Sequence, residues 1–116
     1  MCEKRNQQFD LLVSGRAGID LNATKTGCPF TDIPSFSKSV GGSPPNIIIG
    51  AAKLGLKTAF IGKVSRDGMG EYIRNVFEGL GIDTRGLIYD KTGARNCLAI
   101  LEVISAERSG VYAAVD

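Results

Sequence analysis

From Ile47 to Tyr89 the apolar residues switch repeatedly between helical and strand spacing, and this alternation constrains the fold more than any other feature of the chain. Ile47–Leu54 is a helical run closed by Gly55, and Thr58–Val64 is a strand. Met69, Tyr72, Ile73, Val76, Phe77 and Leu80 then recur at spacings of three and four, the apolar stripe of an amphipathic helix that Gly79 and Gly81 end. Leu87-Ile88-Tyr89 is a third core strand. Upstream, Phe9–Ser14 is a short buried strand running into Gly15. Strand, helix, strand, helix, strand predicts parallel β-α-β units with right-handed crossovers, hence an α/β fold.

Four further segments do not fit that core sheet. Ile19–Ala23 alternates apolar and polar residues, Phe36–Val40 is a further short, exposed strand, and Asn96–Val103 and Val111–Val115 are strands on either side of a polar turn at Ser105–Gly110. Paired as Ile19–Ala23 with Phe36–Val40 and Asn96–Val103 with Val111–Val115, they predict a second, small sheet projecting from the first.

Between the two halves of this pattern stands Gly41-Gly42-Ser43-Pro44-Pro45-Asn46. Two glycines let a ligand approach the backbone with no Cβ in the way. Ser43 suits an N-cap, and Pro44 or Pro45 the first helical turn. The helix that follows is apolar on nearly every face and is expected to be buried. A glycine turn at such an N-terminus offers free N–H donors and a positive dipole end, and Asn46 adds an amide that both donates and accepts. A helix cap whose glycines merely make the turn is the plainer alternative. Asp20 lies just past a core strand and a glycine turn, where α/β folds bind ligands, and its carboxylate is able to take two hydroxyls; the alternative is a solvated Asp on an edge strand.

The chain has 116 residues, 43% of them hydrophobic and 22% charged, enough for one small globular domain. Its net charge of +2 comes from scattered basic residues, so a nucleic-acid partner is not expected. No apolar run approaches the roughly 18 residues of a membrane span. The N-terminal run Met1–Gln8 is polar and lacks the apolar core of a signal peptide, which predicts a cytoplasmic location. Cys2, Cys28 and Cys97 show no metal or redox spacing and read as free thiols. The absence of His excludes His-based triads and imidazole metal ligands, and no carboxylate set is clustered for a metal.

Weaker motifs resolve to structure. Gly50–Thr58 nearly fits a phosphate loop, but Leu56 intrudes between Gly55 and Lys57, and the order is helix–turn–strand instead of strand–loop–helix. Gly62, Gly68 and Gly70 lack dinucleotide-loop spacing. Asn22-Ala23-Thr24 fits a glycosylation sequon and is expected to be idle. Asp67 is a helix cap on physical grounds. Arg95 and Asn96 stand where they either reach over a ligand or are solvated, and Tyr112 is either a ligand platform or packing.

Taken together these motifs resemble the N-terminal part of the PfkB/ribokinase family of carbohydrate kinases. Gly41, Gly42, Asn46, Leu54 and Gly55 match the family's Gly-Gly-x-x-x-Asn, apolar helix and Leu-Gly. Phe60–Gly70, Leu80-Gly81-Ile82-Asp83-Thr84 and Thr92-Gly93-Ala94 match three further family segments in order, so the resemblance covers residues 10–116. Within the family the wording is closest to members acting on keto-sugar acids, with fructose kinases as near alternatives. The resemblance implies a ribokinase-like parallel sheet core, here incomplete, under a small β lid. It implies sugar contacts from Asp20, Gly41, Gly42, Asn46 and Arg95. ATP, Mg²⁺ and a homodimer formed through the lid are implied as well. The family's catalytic base stands in a Gly-Ala-Gly-Asp turn farther along than residue 116, so residues 1–116 are expected to be the substrate-and-lid portion, inactive alone. Ala114 and Val115 stand where acid-specific relatives carry Tyr-Arg, which removes a bidentate carboxylate partner. A non-catalytic sugar-binding or dimerisation module is the alternative.

Overall fold

A computed structural model describes residues 8–105 and 108–114. The polar N-terminal run with Cys2, the tip of the Ser105–Gly110 turn at Ala106-Glu107, and Val115 lie outside these residues. The elements run β1 (Leu11–Ser14), β2 (Gly18–Ala23), a 3-10 turn (Phe30–Asp32), β3 (Phe36–Gly41), α1 (Ser43–Lys53), β4 (Thr58–Val64), α2 (Gly68–Gly79), β5 (Leu87–Tyr89), β6 (Cys97–Ser105) and β7 (Arg108–Ala114). The strands form two sheets. One is fully parallel, in the order β1-β4-β5; the other has the order β3-β2-β6-β7.

The parallel sheet follows the expected β-α-β pattern. Val13 lies beside Phe60, and Gly62 beside Leu87, which puts Val13, Phe60, Val64 and Leu87 on one face. Ile48 of α1 and Ile73 and Phe77 of α2 pack on this face, with the Phe60 and Phe77 rings 4.9 Å apart. Both helices end alike. Gly55 and Leu56 donate back to Ala52 and Ala51, and Gly81 and Ile82 to Glu78 and Phe77. These paired bonds satisfy the last carbonyls and turn the chain straight into the next strand.

Two expectations change. The cap of α1 is Gly42, with no side-chain cap bond, and Ser43 is the first helical residue. Nor is α1 buried all round. Pro45, Ile48 and Ala51 are buried, while Ile47 is 57% exposed and Leu54 85%. An apolar helix is buried only where another layer meets it, and among the described residues α1 meets β1, β3 and β4 on one side alone.

The second sheet contains both expected pairs, β2 with β3 and β6 with β7, and each is antiparallel. A parallel pairing of β2 with β6, Gly18 beside Cys97 through Asn22 beside Leu101, joins them into one layer. Its base is anchored to the core at Asn96, whose buried Oδ1 accepts the Ser65 N–H at 2.9 Å. Tyr112 resolves as packing. Its ring lies 5.7 Å from Phe30, and its hydroxyl donates to Glu102 at 2.8 Å, a bond and a neighbouring charge that push the phenol pKa up.

Candidate functional site

β1 ends at Ser14, and the chain turns through Gly15 and Arg16 into β2. β3 returns antiparallel and delivers Gly41 beside Gly18, and α1 starts from Gly42. A cleft of about 340 Å³ opens where these three meet, at the carboxyl end of a core strand. Asp20, Gly41 and Gly42 all line it.

Each glycine has a steric reason to be there. A Cβ on Gly41 would overlap the Asp20 carboxylate, so only glycine lets that side chain lie across β3 into the cleft. Gly42 holds φ +106°, a left-handed backbone that other residues strongly resist. The Asp20 carboxylate has no hydrogen bond or ion pair among the described residues, which leaves its lone pairs for a ligand.

The helix N-terminus is more selective than its sequence suggests. Of the four N–H groups a helix start leaves unbonded, Pro44 and Pro45 abolish two, leaving those of Gly42 and Ser43; Asn46 N–H already bonds the Gly42 carbonyl at 3.1 Å. A phosphate at a helix terminus is held by several converging N–H groups. Two donors beside a carboxylate suit the hydroxyl groups of a ligand instead, because the carboxylate repels an anionic group set directly against it.

Asn46 sits one turn above Gly42 on the exposed side of α1 and does not line the cleft. Arg95 does not line this cleft; it lines another with Arg66, Asp67 and Asp90, beyond the carboxyl ends of β4 and β5. Asn96, which the sequence leaves reaching over a ligand or solvated, is neither: it is buried in its bond to Ser65. Asp67 is a cap. It accepts from the Ser65 hydroxyl and from the Gly70 and Met69 N–H groups, and these bonds, with the Arg95 charge, hold its carboxyl below the usual range.

Other residues at the site were not anticipated. Arg16 and Cys97 line the cleft, Cys97 because the β2–β6 pairing sets it opposite Gly18. Register also puts Asp20 beside Ser39 and Asn22 beside Ser37, a polar row on one face of the second sheet. Asn22 Nδ2 donates to Ser39 Oγ at 3.0 Å. The alternating Asp-Leu-Asn and Ser-Lys-Ser carry that signal in the sequence, once the two strands are set in register.

As for a nucleotide with its metal, no group of three or more Cys, Asp or Glu converges among the described residues, and the α1 terminus lacks the donors for a phosphate. The described residues therefore do not fit a Mg²⁺–nucleotide site at this cleft.

A parallel sheet with helices on it, joined to a second sheet beside a glycine-lined cleft, defines an α/β protein with a β lid. The pfkB family carbohydrate kinase model matches residues 8–114, and the chain belongs to that family. It is 49% identical to a 5-dehydro-2-deoxygluconokinase of Lacticaseibacillus casei and 45% identical to one of Halalkalibacterium halodurans, over 90% and 91% of its length. It spans 32% of either relative, about a third. Among solved structures it resembles a sugar kinase from Pyrococcus horikoshii in complex with ATP, with TM-score 0.79 and 29% identity over 91% of this chain and 34% of that one. It also resembles Halothermothrix orenii fructokinase, with TM-score 0.73 and 25% identity over 88% and 36%. The fold is the ribokinase-like α/β fold with its lid.

Proposed function

We propose that residues 1–116 form the N-terminal, acceptor-and-lid portion of an ATP-dependent kinase that phosphorylates a hydroxyl of a keto-sugar acid, 5-dehydro-2-deoxygluconate, in cytoplasmic inositol catabolism. The carrying observation is the cleft itself: a carboxylate with free lone pairs, seated against glycine, facing two N–H donors beneath a polar sheet face. Asp20 accepts hydrogen bonds from sugar hydroxyls, and the Gly42 and Ser43 N–H groups donate to them. Asn46 and Arg95 lie outside this cleft, and their place in the site rests on the family resemblance alone. Relatives of the same name, at 45–49% identity, favour 5-dehydro-2-deoxygluconate over fructose. ATP, Mg²⁺ and the base are held by the part of the relatives that this chain does not span; bound there, ATP with Mg²⁺ supplies the phosphoryl group.

The test is a protein extended to the relatives' length, assayed for ATP-dependent phosphorylation of 5-dehydro-2-deoxygluconate, 2-keto-3-deoxygluconate and fructose. Turnover of the first, with loss on Asp20→Ala, is expected; no turnover of any of them rejects the reading. In the 116-residue chain, Asp20→Ala should weaken sugar binding by about 1–3 kcal/mol by titration calorimetry, the cost of leaving polar partners unpaired. An unchanged affinity removes Asp20 from the site.

The lid also favours self-association. Val103 and Val111 are exposed on the sheet face that carries Asp20, and a homodimer would bury them. Val111→Lys should shift sedimentation toward the monomer.

A further inference from the structure

The free edge of β5 carries a concentration of charge that the sugar cleft does not use. A second cleft, of about 640 Å³, runs there between the end of β4, α2 and the segment leading to the lid. Lys63, Arg66, Arg74 and Lys91 line it, and among the described residues no carboxylate does. Arg74 is fully committed. It donates to the Tyr89 hydroxyl, the Thr84 hydroxyl and the Leu87 carbonyl, and pairs with Glu78 at 3.7 Å. Lys63 is partly neutralised by Asp90 at 3.6 Å. The side chains of Arg66 and Lys91 have no ion pair or hydrogen bond among the described residues.

Those two cations also share an adjoining cleft of about 380 Å³, so they face a common channel. The acids in that channel, Asp67 and Asp90, already accept bonds from their own loops. Glu71 borders a further cleft on the α2 side of Arg66. Unpaired like charges on one concave wall repel each other and focus potential on any anion that enters. A guanidinium fork matches phosphate oxygens bidentately, and a nearby ammonium adds a point charge. The size of the cleft is that of a small-molecule site, and Leu87, Ile88 and the Tyr89 ring give it an apolar wall for a carbon skeleton.

We propose that this cleft binds a small phosphate ester, its phosphate held between Arg66 and Lys91. The site is distinct from the sugar cleft, with which it shares no lining residue, and does not depend on the function proposed above. Its position gives it a regulatory consequence. Lys91 belongs to the segment that carries β5 into the lid, shaped by Asp90 accepting from Thr92 and Ala94 at 2.8 Å. Arg66 directly follows Ser65, the residue to which Asn96 ties the lid base. A phosphate bridging the two would fasten the lid to the core.

The probe is inorganic pyrophosphate, titrated into the 116-residue chain and followed by the amide resonances of Arg66, Tyr89 and Lys91. Saturable shifts at these residues are expected. Affinity should fall about tenfold for Arg66→Gln and again for Lys91→Gln, as charge-assisted bonds are lost, and should survive Asp20→Ala. Circular dichroism confirms that each exposed-site variant keeps the fold. Shifts centred on Arg16 and Gly42 instead, unchanged affinity in the double variant, or no saturable shift at all would overturn the proposal.

Discussion

At Gly41 a single missing methyl group governs the site. Gly41→Ala drives a Cβ into the Asp20 carboxylate, so sugar affinity should fall as far as in Asp20→Ala, with the fold retained; calorimetry beside circular dichroism separates the two effects. Asp67 and Asp90 make a pH prediction. The Thr92 hydroxyl, the Ala94 and Thr92 N–H groups and Lys63 hold the Asp90 carboxyl below its ordinary value near 3.8, and Asp67 is held low by its cap bonds. Carboxyls depressed in the folded state contribute stability that is full above the unfolded pKa and is lost as pH falls through the folded one. The urea midpoint should therefore hold steady above about pH 5 and drop on further acidification, with a shallower slope in Asp90→Asn. Asp20 and the glycine pair were legible in sequence because a carboxylate after a strand and a glycine turn before a helix each carry local chemistry. Cys97 was not, since nothing near it signals that its neighbour across the sheet is Gly18.

At the scale of elements, α1 shows what composition leaves open. An all-apolar run states what a helix is able to bury, whereas the layers around it decide what is buried. Ile48→Ala, at a fully enclosed position, should cost about 2–5 kcal/mol, and Ile47→Ala, one residue earlier on the exposed side, about 0.5 kcal/mol or less, by chemical denaturation of the same chain. Equal costs would mean that the outer side of α1 is covered. α2 was legible throughout, because its stripe, its Asp67 cap and its glycine exit all agree. The edge strand β5 shows a device no periodicity reveals: the Arg74 guanidinium reaches across from α2, occupies the Leu87 carbonyl, and blunts the free edge.

Across the whole molecule the two sheets were both expected, and so were the pairings of β2 with β3 and of β6 with β7. The parallel β2–β6 pairing that fuses the lid was not, for strands so distant in sequence leave no local trace of each other. Among the described residues the core sheet carries helices on one face only. Leu12, Ile61 and Ile88 lie exposed on the other, although parallel sheets are ordinarily covered on both sides. The 116-residue chain should therefore bind an apolar fluorescent dye strongly, and Ile61→Lys with Ile88→Lys should quench that signal while leaving the lid intact. The β2–β6 pairing also bears on how the protein is made. β2 and β3 leave the ribosome long before β6, so the open side of β2 waits on the order of 4–16 s for its neighbour at a translation rate of about 5–20 residues per second. During that interval the nascent chain presents the bare outer edge of the β2–β3 hairpin, and a chaperone that shields it, or a pause that lengthens the wait, would set the yield of native protein.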